Sequence, residues 1–500
     1  MIRYFFFSII ISSFVFVFSD FPYNFEVCPT NICYQKISAN EFYIYNATKI
    51  TSLIPIKQQV PKAEVIKIRK CNLMTLNKED LNFKDLKTLH IVSNRLSTLK
   101  ENTLSYLTAL EEVDFSYNQV HSISGKLFSG VLNLKLINLK NNSIGELPTN
   151  LFTNLTKLQH IDLSCNELIV IEEHTFQDNL DLICVKLMNN HIKRFALHLP
   201  SIHFLDLSMN QLEDLKVKNV NYLYVNQCLL KTLNISGSCF VLEANNNELE
   251  HITIDDQKSM ISIRLSNNVL KNISNFDDMG TLEILDISNN FLSHDGFIGN
   301  VFKSLKILNL KNFFIDTVDI REQFSEYDSL QSLVISISQT ELSLSKMLPL
   351  LRSLKELTAY GENIRSISRD DDLKSIFPNL ERFILKNHKL NYNQRVILKN
   401  QLAKLNIEFI DLDDEQHHNS RYNGIFDQID NLNELTETTN SSNKYLLITI
   451  LMVLLLILLM NAMTVLNFNI YSFARDRFSN IDHSLHNSTV SFIYNDESQI

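Results

Sequence analysis

From Ile66 to Leu412 one arrangement keeps returning: apolar residues at a first, fourth, sixth and eleventh position, with Asn at the ninth. Leu86, Leu89, Ile91, Asn94 and Leu96 make one such unit, and Leu110–Asn118, Leu134–Asn142 and Leu158–Asn166 make the next three. The fourth and sixth positions are two apart, the period of a strand with one buried face, so each unit opens as a short strand. The Asn marks a turn. Beyond it the return segment has apolar residues of its own, as in Leu147, Phe152 and Leu155 or Ile171, Phe176 and Leu180. A single unit cannot bury both its strand and its return segment, whereas a stack of units can. The pattern therefore predicts an α/β solenoid with one parallel concave sheet, the Asn side chains bonding backbone along the inside of the turns.

Spacing sharpens this picture. Asn94, Asn118, Asn142, Asn166 and Asn190 are 24 residues apart each time. Sixteen units can be indexed by ninth positions running from Cys71 to Glu415, with a mean interval just under 23. After Asn290 these positions are Phe313, Ser338, Glu362, His388 and Glu415, the last reading as a terminal cap. From Asn190 the intervals fall to 20, 18, 19 and 21, leaving no room for a helix on the return side, so an extended convex face is expected between Pro200 and Leu270. Arg395–Leu405 followed by Ile407–Leu412 is expected to close the C-terminal end.

The flanking segments suggest a compartment. Met1-Ile2-Arg3 and the apolar run Tyr4–Phe18 read as a secretory signal peptide over residues 1–19, cleaved after Ser19. Residues 20–62 form an N-terminal cap, 63–415 the solenoid and 416–444 a polar juxtamembrane stalk. The uncharged run Tyr445–Leu466 is long enough for one transmembrane helix. Arg475 and Arg477 follow it, so the positive-inside rule expects a single-pass type I protein of the plasma membrane, N-terminus extracellular, with residues 467–500 as a short cytoplasmic tail. Sequons headed by Asn46, Asn141, Asn154, Asn234, Asn272 and Asn440 precede the run and are expected to be glycosylated.

Composition then narrows the chemistry. The 500 residues have a formal charge of −10, which argues against nucleic acid as a partner, and only 9 Gly, which leaves little for phosphate loops. No nucleophile, carboxylate-pair or zinc motif is present, so no enzyme, metal or cofactor is expected; His417-His418 reads as a solvated pair. Of 7 Cys, Cys28 and Cys33 suit a capping disulfide. Cys71, Cys228 and Cys239 fall at inward positions as buried thiols, and Cys165 and Cys184 are too far apart to bridge.

The template L-x-x-L-x-L-x-x-N-x-L is that of leucine-rich repeats, and Ile66–Leu412 resembles the insect extracellular leucine-rich-repeat receptors with Toll-like repeats. The stretch Leu197–Asn210 through Ala244–Asn247, with its shortened units, is similar to the mosquito leucine-rich-repeat immune proteins, membrane-anchored type. It departs from their longer secreted members, which carry a coiled coil after the repeats, and it has no cytoplasmic signalling domain of the Toll kind. The resemblance implies a horseshoe that binds extracellular protein or microbial ligands, an innate-immune recognition protein or co-receptor dependent on a partner for cytoplasmic output. A cell-adhesion or neuronal-guidance role is the alternative. Ser498 and Ile500 match the C-terminal peptide type that PDZ adaptors accept.

In that fold the second, third, fifth, seventh and eighth positions face the concave side. Lys67, Arg69, Lys70 and Lys87, then Glu111, Glu112 and Asp114, read as solvated charges. Phe204 and Tyr222 share a third position, Tyr224 holds a fifth and Phe240 a second. Four aromatics on a solvent-facing sheet are the ligand-binding candidates, with cross-strand stacking as the alternative use.

Overall fold

The computed structural model describes residues 33–36, 40–45, 53, 61–197, 199–292, 302–314, 324, 327–368 and 373–413. Among these, eighteen strands form one sheet. Cys33–Lys36 pairs antiparallel with Glu41–Tyr45, and that strand runs parallel beside Val65–Arg69. Parallel pairing then follows chain order, one strand per unit, to Arg382–Lys386 and Glu408–Asp411.

Register reproduces the sequence intervals: Ile202 lies opposite Val220 and Tyr222 opposite Val241, offsets of 18 and 19. On the return side of these short units, Asp214–Lys218, Thr232–Ser236 and His251–Ile254 form a three-stranded parallel sheet. So few residues can only return in an extended path. At the last strand the register corrects the sequence reading by one residue. Arg382 faces Glu408, an offset of 26, one less than the 27 that the sequence reading placed between His388 and Glu415.

Inward positions make a continuous core. Leu89, Val113, Ile137, Ile161 and Val185 at the fourth position are fully or almost fully buried. Phe128, Phe152 and Phe176, 24 residues apart, stack face to face at 6.2 and 5.3 Å. Each such side chain contributes on the order of 2 kcal/mol by leaving water, realised only when the neighbouring unit is in place. Cys71, Cys228 and Cys239 are buried in this core, while Cys165 and Cys184 are half-buried.

The Asn ladder supplies the polar half of the stacking. Asn166, 6% exposed, accepts from the Ile144 N–H at 3.1 Å and donates to Leu139 O at 3.0 Å in the preceding turn. It also donates to Leu163 O in its own turn. The same pair of inter-unit bonds recurs at Asn190, Asn210, Asn247, Asn268 and Asn290. Cys228 keeps the donating half, its thiol reaching Leu207 O at 3.3 Å.

Eighth positions depart from the expectation that they face the concave side as strand residues. From Lys70 through Asn141, Cys165 and Asn189 to Asn312, and again at Asn387, they hold φ near +55 to +68, with Ile337 and Gly361 as the exceptions. Each is the left-handed corner of its turn, the conformation Asn tolerates better than other side chains with a Cβ.

The C-terminal end closes with helix Tyr392–Lys404, which starts in a reciprocal capping box between Asn391 and Gln394 and buries Leu398 and Leu402. Cys28, residues 1–19, Asn46, Asn440, the stalk, Tyr445–Leu466 and the tail with Ser498 and Ile500 lie outside the described residues. Among the described residues no helix is long and apolar enough to cross a membrane.

Candidate functional site

The strand register brings the four aromatics together. Phe204 lies directly opposite Tyr222, because the third position of one short unit must face the third of the next. The Phe204 and Tyr224 rings are 5.1 Å apart and tilted by 31°. Tyr222 meets Phe240 edge-on at 6.5 Å and the His203 ring at 4.9 Å. All four are half-buried, each leaving a face open on the concave surface.

Charged groups border this cluster on one side. Lys186, Asp206, Tyr224, Glu243, Arg264 and Asp286 occupy the fifth-position row, each opposite the next. The Lys186 ammonium stands 5.6 Å over the Phe204 ring, and Arg264 pairs with Glu243 at 2.8 Å. Burial pushes the Tyr224 hydroxyl up to about 12, with the Glu243 carboxylate adding to it. Burial also raises the Asp206 carboxyl, against the opposing effect of the Ser208 N–H, which donates to it at 2.9 Å. On the other side the second-position row holds no carboxylate, ammonium or guanidinium from Gln159 through Ile183, His203, Asn221 and Phe240 to Ile261.

Reading aromatics alone missed the larger feature. Leu136, His160 and Cys184 precede Phe204 in the third-position row, and Val241, Ser262, Ile284 and Ile307 follow Tyr222. The result is an uncharged, mostly apolar stripe across nine strands, half-exposed everywhere but at the buried Ser262. Burial, then the nearby Lys186, lowers the pKa of its histidine, His160. Indexing every third position, rather than only the rings, would have exposed the stripe in the sequence.

Elsewhere the concave charges are spent on one another. Lys87 pairs with Glu64 and Lys135 with Glu111, both at 2.7 Å, and His90 meets Glu112 at 2.8 Å. Lys67 and Lys70 lie over the Tyr43 and Tyr45 rings. Of the sequon asparagines, Asn141 is a turn corner, Asn154 and Asn272 are exposed outside strands, and Asn234 sits in the convex strand Thr232–Ser236. None lies on a strand of the concave sheet.

One group among the described residues has metal-ligand spacing: His388, Asp411 and Asp413, with ligand atoms within 4.8 Å of one another. Its hydrogen bonds do not suit a cation. The Leu390 N–H donates to His388 Nδ1 at 3.1 Å, which leaves the imidazole proton on Nε2, aimed at Asp411 Oδ1 at 3.1 Å. Arg395 already lies 3.5 Å from Asp411 Oδ2. The His388 N–H donates to Asp413 Oδ2 at 2.8 Å, the bond an Asn would accept in a further unit, so the cluster ends the ladder.

A leucine rich repeat family profile matches residues 84–144, 108–168 and 132–192. No curated protein matches the sequence significantly. The chain is similar to the crystal structure of the APL1 leucine-rich repeat domain, at 21% identity and TM-score 0.53, covering 68% of this chain and 91% of that one. It is also similar to YopM from Yersinia enterocolitica WA-314, at 20% identity and TM-score 0.50, covering 68% of this chain and 72% of that one. At these identities the likeness is one of fold: a parallel-sheet solenoid of leucine-rich repeats.

Proposed function

We propose that this leucine-rich-repeat protein binds a protein ligand on its concave sheet, centred on Phe204, Tyr222, Tyr224 and Phe240. One observation carries the reading: these four half-buried rings gather on the concave surface, Phe204 against Tyr224 and Tyr222 against Phe240, beside the Glu243–Arg264 ion pair, while Lys87 with Glu64 and Lys135 with Glu111 are paired elsewhere on that face. Exposed contiguous apolar surface is unfavourable unless a partner covers it, and Tyr is enriched where binding energy concentrates. The absence of sequons from the concave strands is consistent with a face kept open. The finer reading is an innate-immune recognition protein or co-receptor held at the cell surface by Tyr445–Leu466, with its repeats outside the cell. It rests on the sequence alone: the apolar run, and the resemblance of Leu197–Asn210 and Ala244–Asn247 to the mosquito immune repeats.

The test uses the full chain in cells. Surface biotinylation and carbonate extraction ask whether it is an integral surface protein; recovery in the soluble fraction would remove the membrane reading. Crosslinking and mass spectrometry then compare the wild type with the triple variant Phe204→Ser, Tyr222→Ser, Tyr224→Ser. Loss of crosslinked partners at unchanged surface level is the expected result. Unchanged partners would move the site elsewhere on the solenoid.

A further inference from the structure

We infer that the occupant of the concave face is an amphipathic α-helix lying across the strands along the third-position stripe. This rests on the concave-face reading above and adds the form and chemistry of the partner.

Backbone satisfaction is the first argument. Every strand from Leu136–Asn138 to Ile307–Phe314 has a parallel neighbour on both sides. The face therefore offers a partner side chains, with no free strand edge to pair with. An extended segment laid on the stripe would bring its own N–H and C=O groups against apolar surface with nothing to bond, at on the order of 1–3 kcal/mol each. A helix satisfies those groups internally.

Spacing is the second. Adjacent strands are ~4.8 Å apart, so the stripe presents a side chain about every 4.8 Å. An α-helix turns every ~5.4 Å, close to that step, whereas same-face residues of an extended chain repeat every ~6.7 Å. Eight inter-strand steps separate Leu136 from Ile307. They give about 38 Å, the length of roughly 25 helical residues.

Width and charge complete the match. Around Ile183, Phe240 and Ile261 the second-position row widens the uncharged surface to two rows, suiting the broad apolar face of an amphipathic helix. The bordering row changes sign from Lys186 to Asp206 and again from Glu243 to Arg264 and Asp286. A helix seated there is met on one flank by both signs, so its complement carries both acidic and basic residues beside the apolar seam, not a uniform charge.

The experiment selects binders to the full-length detergent-solubilised protein from two display libraries. One randomises the exposed face of a fixed helical scaffold; the other displays linear peptides held extended by alternating prolines. Because the chain has no Trp, one Trp in each recovered binder reports burial by fluorescence without background. The expected result is enrichment of helical clones with apolar residues at i, i+3/i+4 and i+7. Their affinity should fall at least tenfold on Phe204→Ser or Val241→Asp, hold on Tyr222→Phe, and hold on Lys216→Ser on the convex side. Concave-sensitive binders from the extended library alone would overturn the helix while leaving the concave site standing. Binders from both libraries that ignore the concave variants would overturn the site itself and the inference with it. A general loss of folding in Val241→Asp would show as lost binding of convex-directed clones, and Phe204→Ser then decides.

Discussion

Removing one rung of the Asn ladder has a magnitude that can be worked from the bonds. In Asn166→Ala the Ile144 N–H loses its acceptor at 3.1 Å and Leu139 O its donor at 3.0 Å, both buried between units. Each orphaned buried group costs about 1–3 kcal/mol, so the variant should lose about 2–6 kcal/mol at that interface. Asn166→Cys is the informative companion, because the chain already shows at Cys228 what a thiol does there: it donates to the carbonyl of the preceding unit, while its sulfur is a weaker acceptor than an amide oxygen. Asn166→Cys should therefore cost only about 1–3 kcal/mol. A repeat stack need not melt as one unit, so a single melting temperature is the wrong observable. Hydrogen exchange at the Ile144 amide reads the rung directly. Both substitutions should deprotect it, by roughly thirtyfold for each 2 kcal/mol. Only Asn166→Ala should also loosen the stacking of Leu139 with its neighbours. If both variants keep wild-type protection at Ile144, the side chain does not hold that amide and the account of the ladder is wrong. If Cys costs as much as Ala, the thiol contributes nothing, at Asn166 or by extension at Cys228.

Further expectations follow from the same structure. Burial holds the Asp206 carboxyl above its ordinary value, so the folded state binds its proton more readily than the unfolded chain. The stability this gives is fully present below the unfolded pKa and is lost as pH rises through the folded one. Asp206→Asn should remove that slope and be neutral or stabilising at neutral pH, since Asn138 and Asn309 make the same turn bond, accepting from Lys140 and Lys311 N–H at 3.0 and 3.1 Å. A pH series of thermal melts showing an unchanged slope would refute it. Burial pushes the Cys228 and Cys239 thiols up to about 11 and 12, leaving roughly a thousandth or less as thiolate near pH 8. Native iodoacetamide labelling should modify half-exposed Cys165 first, and equal rates at Cys239 would contradict the burial assigned to it. Asn391→Ala removes the half of the capping box in which its side chain accepts from the Gln394 N–H and should cost about 1 kcal/mol, seen as faster exchange in the first turn of Tyr392–Lys404 without change at Ile144.

Much of this molecule was written in its one-dimensional pattern because a stack of repeats is held by neighbours a fixed chain distance apart. The interval between successive ninth positions becomes the strand register directly, so Ile202 opposite Val220 follows from counting. Units of 18 and 19 residues leave one way back, and the convex strands Asp214–Lys218 and Thr232–Ser236 take it. The aromatic cluster was legible for the same reason, since equal positions in successive units must touch. Other features needed the third dimension. The left-handed corners at Lys70, Cys165 and Asn189 arise from how the turn closes over the unit below, which position counting mistook for strand geometry. The apolar stripe from Leu136 to Ile307 contains a histidine, a thiol and a serine that no hydrophobic scale would join; a third-position index puts them in one row, and the structure shows that all but Ser262 of that row stay half-exposed. The end of the ladder was decided in space as well. His388 and Asp413 share no motif, yet the Asp413 carboxylate accepts from the His388 N–H as Asn94 accepts from the Cys71 N–H. Local spacing dictates whatever depends on the next unit; whatever depends on a sum over many units, or on having no next unit, appears only when the stack is built.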